Sequence, residues 1–292
     1  MSGGMVPAGV RPGVASAHDM EPQGGRGPAR SLVTLAPISG VELLIKSADR
    51  VRDLAEVFTP AATVQTMLDL LPAGVWAVHP SPTFLEPACG DGNFLAAILD
   101  RKLDRITLAH RQGALPAGST PEAVEFHGLE ALASIYAVDI SEDNVIGGTP
   151  GHEVGARDRL LTLFAGWLSE LVDETVSDTV MESARWIVTH NVQVGNMLRT
   201  AADGTDSGRD DLKLMEYAWD QTCLTVSIDC TTLGDVTATE TAKTTRVMSL
   251  FGPPAPTPIW RGRATDLHQE TVPGGTSEPS HAGHSEQGRQ SC

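Results

Sequence analysis

Phe84-Leu85-Glu86-Pro87-Ala88-Cys89-Gly90-Asp91-Gly92-Asn93-Phe94-Leu95 decides the reading of this chain. The segment reads as a buried strand, a glycine-rich turn and the first turn of a helix. Gly90 and Gly92 accept backbone angles that a Cβ forbids, and they let a ligand come close to the main chain. A turn of this kind brings backbone amides up to a nucleoside-type small molecule.

On the N-terminal side, residues 41–57 carry apolar positions at helical spacing, among them Val41, Leu44, Ile45, Val51, Leu54 and Val57. Phe58-Thr59-Pro60 follows, with Thr59 expected as N-cap and Pro60 at the first helical position. Val64, Met67, Leu68 and Leu71 form the stripe of that helix, which stops near Pro72-Ala73-Gly74. The strand is expected over Thr83–Ala88 and the helix after the turn from Asn93 to about Leu103. Residues 104–128 read as a helix, a Gly/Pro loop from Gly113 to Pro121 and a second helix. Ser134–Ile140 is the second strand and closes on an acid, Asp139.

Residues 153–173 read as an amphipathic helix and Ala184–His190 as a short one. Asn191–Asn196 then gives a third short strand and a turn. The alternation β–α–β–α–β argues for a parallel, doubly wound α/β sheet. Its strands finish on one edge, where ligands bind in such sheets.

Residues 1–35 form a Gly-, Pro-, Ala- and Arg-rich leader, expected to be disordered, and the structured domain is expected over 36–250. Residues 251–292 read as a disordered Pro-, Gly- and Ser-rich tail. His268, His281 and His284 belong to its polar composition. The 292 residues are 41% hydrophobic, enough for one sizeable α/β domain. A formal net charge of −16 disfavours gripping a polyanion unaided, so any DNA contact belongs to a local patch or a partner. Cys89, Cys223, Cys230 and Cys292 show no CxxC spacing. That argues against a disulfide framework or a zinc site, and for the cytoplasm. No apolar run is long enough to span a membrane.

Each strand end offers a group for a nucleoside. The first supplies Pro87, Ala88, Cys89, Gly90, Asp91, Gly92, Asn93 and Phe94. The second supplies Asp139, whose carboxylate suits ribose hydroxyls, followed by Ile140. The third supplies Asn196, whose amide both donates to and accepts from an adenine edge. Glu86 stands where an acid pairs with a cationic cofactor end. A dinucleotide fits less well. Leu95 occupies the third glycine position of G-x-G-x-x-G, and the acid lies far beyond the usual spacing of about 20 residues.

Glu56-Val57-Phe58-Thr59-Pro60 and Leu85–Leu95, with Tyr136–Ile140 and Val192–Asn196, resemble the adenine-specific DNA methyltransferases of restriction–modification type. The resemblance covers roughly residues 50–200, about half the chain. It implies a Rossmann-like methyltransferase sheet and S-adenosylmethionine as cofactor. By position, Phe58, Thr59 and Pro60 line the cofactor site, Glu86 and the turn hold the methionine moiety, Asp139 binds the ribose, and Asn196 lies near the adenine. The implied activity is methyl transfer to adenine N6 of DNA.

The family's catalytic Asn/Asp-Pro-Pro-aromatic tetrapeptide does not occur in this sequence. The sole Pro-Pro lies in Phe251-Gly252-Pro253-Pro254-Ala255, in the tail. Glu216–Asp220 resembles the acidic-aromatic stretch that precedes the tetrapeptide in some relatives. Tyr217 and Trp219 there suit either base stacking or the core. Leu224–Ile228 reads as a further strand, followed by a helix. No basic stripe interleaved with aromatics marks a target-recognition region. Two readings stand. One is a methyltransferase, or a subunit whose partner supplies the catalytic motif and target recognition. The other is a non-catalytic cofactor-binding or scaffold protein.

Overall fold

The computed structural model describes residues 59–148, 153–172, 176–198, 212–236 and 258–269. Helix α1 (Ala61–Asp69) buries Val64 and Leu68. A short 3-10 turn (Ala73–Trp76) leads to strand β1 (Phe84–Glu86). The glycine turn then opens directly into α2 (Asn93–Arg111). This is one continuous helix, longer than the sequence pattern suggested. Leu95, Leu99, Leu103 and Ile106 are all buried on one face, and that stripe runs through the expected break at residue 104.

Helix α3 (Pro121–Ala133) starts at a capped N-terminus: the Thr120 hydroxyl accepts the Ala123 amide hydrogen and Pro121 follows it. It is buried nearly all round, including Phe126, Leu129 and Leu132, and so runs through the core. Gly128 lets α5 (Ala156–Leu171) pack against it, since a Cβ there would come within 2.6 Å of Trp167. Trp167 is also anchored from the other side, donating its indole N–H to the Thr107 hydroxyl at 2.9 Å.

Strand β2 (Ile135–Asp139) pairs in parallel with β1 and with β3 (Val192–Val194), giving the order β1-β2-β3. The short helix α4 (Glu142–Val145) follows β2, and α6 (Asp178–Asn191) feeds β3. The α/β alternation and the parallel pairing are therefore present. The doubly wound arrangement is not seen among the described residues: no described strand pairs with the outer side of β1, and Leu85 on that strand is 50% exposed. The expected buried strand is thus an edge strand.

The remaining strands form a separate antiparallel sheet, β4 (Lys213–Asp220), β5 (Thr225–Thr232) and β6 (Trp260–Arg263), in the order β4-β5-β6. Part of the expected tail is therefore structured. Its cause is long-range contacts that the composition of the segment does not reveal. Ala264 and Leu267, in the 3-10 turn Ala264–Gln269, are buried, and the Ser183 hydroxyl of α6 donates to the Thr265 carbonyl at 2.7 Å. The Tyr136 hydroxyl donates to the Met215 carbonyl and the Tyr217 hydroxyl to Asn191 Oδ1, tying β4 to the parallel sheet and α6. No helix among the described residues is long and apolar enough to cross a membrane.

Candidate functional site

Parallel pairing places the ends of β1, β2 and β3 on one edge, and hydrogen bonds lace these ends together. The Cys89 amide donates to the Val138 carbonyl at 3.1 Å, and the Gly195 amide to the Asp139 carbonyl at 2.8 Å. Asp139 is the centre of this edge. Its Oδ2 accepts the Gly90 amide hydrogen at 2.8 Å. Its Oδ1 accepts from the Ser141 amide at 2.9 Å and from the Asn144 side chain at 3.0 Å. The carboxylate thus holds the glycine turn in place before any ligand arrives. A carboxylate has about four lone-pair sites, so Oδ2 keeps capacity for a further donor.

The turn itself depends on glycine at Gly90 (φ 54°) and Gly92 (φ 90°). At Gly92 a Cβ would also stand 3.0 Å from the Ala156 Cβ. This explains the G-x-G spacing twice over, by backbone angle and by close approach of α5. Cys89 is buried beneath the turn. Its thiol is pushed far up the pH scale, first by burial and then by the carboxylates of Asp139, Glu86 and Asp91. Glu86 is itself raised, mainly by burial, with Asp139 repulsion adding, while the Ala88 amide offsets part of the effect.

Asp91 and Asn93 are gathered by a residue that the sequence did not single out. Arg159 on α5 donates to Asp91 Oδ2 at 2.9 Å and to Asn93 Oδ1 at 2.6 Å. Asn93 in turn donates its amide to the Thr59 carbonyl at 3.2 Å. The Phe-Thr-Pro segment is therefore joined to the glycine turn through Thr59. The Thr59 capping role is corrected: Pro60 is the N-cap, its carbonyl accepting the Val64 amide, and no side chain caps the helix. Asp91 Oδ1 is buried and has no protein partner. Phe58 lies outside the described residues.

The other positions divide into near and peripheral. Pro87 and Ala88 are exposed on the turn, Phe94 packs against the core, and Ile140 is 58% exposed beyond Asp139. Asn196 follows β3 on the same edge. Its side-chain oxygen accepts the Leu198 amide at 2.9 Å. Arg159 was missed because its partners lie 66 and 68 residues away, and Asn144 because a lone Asn five residues after Asp139 belongs to no motif. Tyr217 and Trp219 lie away from this edge. Trp219 meets Phe126 edge-on at 5.3 Å and stacks on Tyr217, which fits a packing role.

Glu86, Asp91 and Asp139 surround the turn, and Asp91 carries an unpartnered oxygen. That donor set suits a ligand with cationic groups and hydroxyls, such as the ammonium, sulfonium and ribose of S-adenosylmethionine. The Glu86 and Asp139 carboxylates disfavour a pyrophosphate, while the Asp91 charge is offset by Arg159 at 2.9 Å. No family model matches the chain, and neither does any curated protein or solved structure.

Proposed function

We propose that the chain binds S-adenosylmethionine at the carboxyl edge of its parallel sheet and serves DNA adenine-N6 methylation in a restriction–modification system, as an enzyme or as a subunit. One observation carries the reading: a glycine turn with obligatory left-handed angles, ringed by Glu86, Asp91 and Asp139. The residues have divided tasks. Gly90 and Gly92 open the approach, Asp139 fixes the turn and accepts from the ribose, and Glu86 and Asp91 face the cationic end. Asn196 is assigned to the adenine side, and Thr59 and Pro60, tied to the turn through Asn93, line the site. When bound, the cofactor supplies an electrophilic methyl group, which the amino nitrogen of the target adenine attacks.

The tetrapeptide that orients the target amino group is absent from the sequence, and the chain's net charge of −16 opposes DNA. β1 has an edge without a described strand partner. These features favour a subunit whose partner brings the catalytic motif and the DNA contacts. The second reading, a cofactor-binding scaffold without transfer activity, rests on the same missing tetrapeptide. Transfer of a tritiated methyl group to unmethylated DNA separates them. Incorporation at adenine N6, with or without the product of the adjoining gene, supports the enzyme reading. Binding of the cofactor without transfer under either condition leaves the scaffold.

A further inference from the structure

At the other end of the parallel sheet, residues far apart in the sequence converge on one buried carboxylate. Glu130 on α3 is 2% exposed. His79 Nδ1 lies 2.9 Å from each of its oxygens, and His127 Nδ1 lies 3.2 Å from Oε2. The three ligand atoms lie within 4.8 Å of one another. For comparison, a tetrahedral zinc centre with bonds of ~2.0–2.1 Å has ligand–ligand edges of about 3.3 Å.

His127 is the most enclosed member of the cluster. It is fully buried, and both of its ring nitrogens face acceptors: Nε2 is 2.8 Å from the Pro116 carbonyl and Nδ1 faces Glu130. With Nε2 turned to the Pro116 carbonyl, Nδ1 is left facing the carboxylate, where the two can share a cation bound beside them. Donation of the outer N–H to a backbone carbonyl is also how metal-bound histidines are commonly held. His79 and Glu130 line a cavity of about 520 Å³, together with Tyr136, Glu216, Tyr217 and Trp219. The cluster is therefore closed by protein on the His127 side and open to the cavity on the His79 side. Lys102 stands behind Ser81, donating to the Ser81 hydroxyl and the Pro82 carbonyl, and the Ser81 amide donates to Glu130 Oε1 at 2.9 Å.

We infer that His79, His127 and Glu130 form a site for a divalent transition-metal ion, with zinc the best match to two imidazoles and a carboxylate, and with its fourth position facing the cavity. The site is independent of the proposed cofactor edge. It also departs from the expectation of no metal, which rested on cysteine spacing; histidines separated by this much chain leave no such pattern.

Elemental analysis of the untagged full chain, grown with zinc and dialysed against metal-free buffer, tests it. About one zinc per chain is expected. His79→Ala, a residue at the cavity rim, should drop this at least fivefold while leaving the far-ultraviolet circular dichroism unchanged. His281→Ala/His284→Ala in the C-terminal segment should leave it unchanged. Cobalt substitution should give the visible absorption of a tetrahedral ion, lost in His79→Ala. If His79→Ala does not fold, Glu130→Gln takes its place with the same expected loss. A folded wild-type chain without zinc, or zinc retained in the cluster variants and lost with the C-terminal histidines, overturns the site.

Discussion

The Asp139 carboxylate accepts the Gly90 amide hydrogen at 2.8 Å, joining the end of β2 to the glycine turn after β1. A side chain expected to serve a ligand therefore also builds the site. Asp139→Ala takes this acceptor from the Gly90 and Ser141 amides and removes one partner of Asn144. Urea denaturation should show a loss of about 1.5–3 kcal/mol. An unchanged midpoint would mean that the turn holds its shape without the acid.

Gly92 makes a sharper test of the turn. Gly92→Ala adds left-handed strain of about 1–2 kcal/mol, together with the contact on Ala156. Adding Ala156→Gly relieves the Cβ contact and leaves the strain and the 3.2 Å approach to the Ala156 Cα. The double variant should be more stable than the sum of the two single changes implies, measured as a coupling energy in a double-mutant cycle. Strict additivity contradicts the close approach of α5.

Glu86 gives a pH dependence whose sign is fixed. Its carboxyl is raised above the ordinary 4.5 in the folded state. Between the two values the folded chain holds the proton more tightly than the unfolded chain, so stability falls as pH rises through that window. Glu86→Gln removes the effect. The wild type should lose stability relative to the variant as pH climbs from about 4.5, then run parallel to it. Denaturation midpoints across that range check this; a wild type that gains on the variant refutes it.

The cysteines differ in reactivity for a physical reason. Cys223 is exposed, whereas Cys89 is buried among carboxylates that oppose its thiolate. Alkylation of the native chain at pH 8, mapped by peptide mass, should modify Cys223 and spare Cys89 until denaturant is added. Early modification of Cys89 would show that the turn opens readily.

Much of the parallel sheet was legible because its signals are local. The glycine turn, the strand ending in Asp139 and the helix stripes of α2 and α5 each carry their own pattern in contiguous residues. The helix boundaries shifted where burial outweighed a local break, as in α2. The antiparallel sheet was largely hidden. β6 pairs with β5 across a long stretch of sequence, and the burial of Ala264 and Leu267 and the Ser183–Thr265 hydrogen bond show why the segment takes structure. At the candidate edge the acids and glycines could be read, because their residue types are distinctive. Arg159 could not: its role depends on α5 folding back across the turn. The His79–His127–Glu130 cluster was invisible for the same reason.

Isothermal titration of the folded full chain with S-adenosylmethionine tests the central claim most directly. The expected result is saturable binding of one cofactor per chain, displaced by S-adenosylhomocysteine and weakened about tenfold or more by Glu86→Gln, which removes a charge facing the cationic end. No measurable binding by a chain shown to be folded would contradict it.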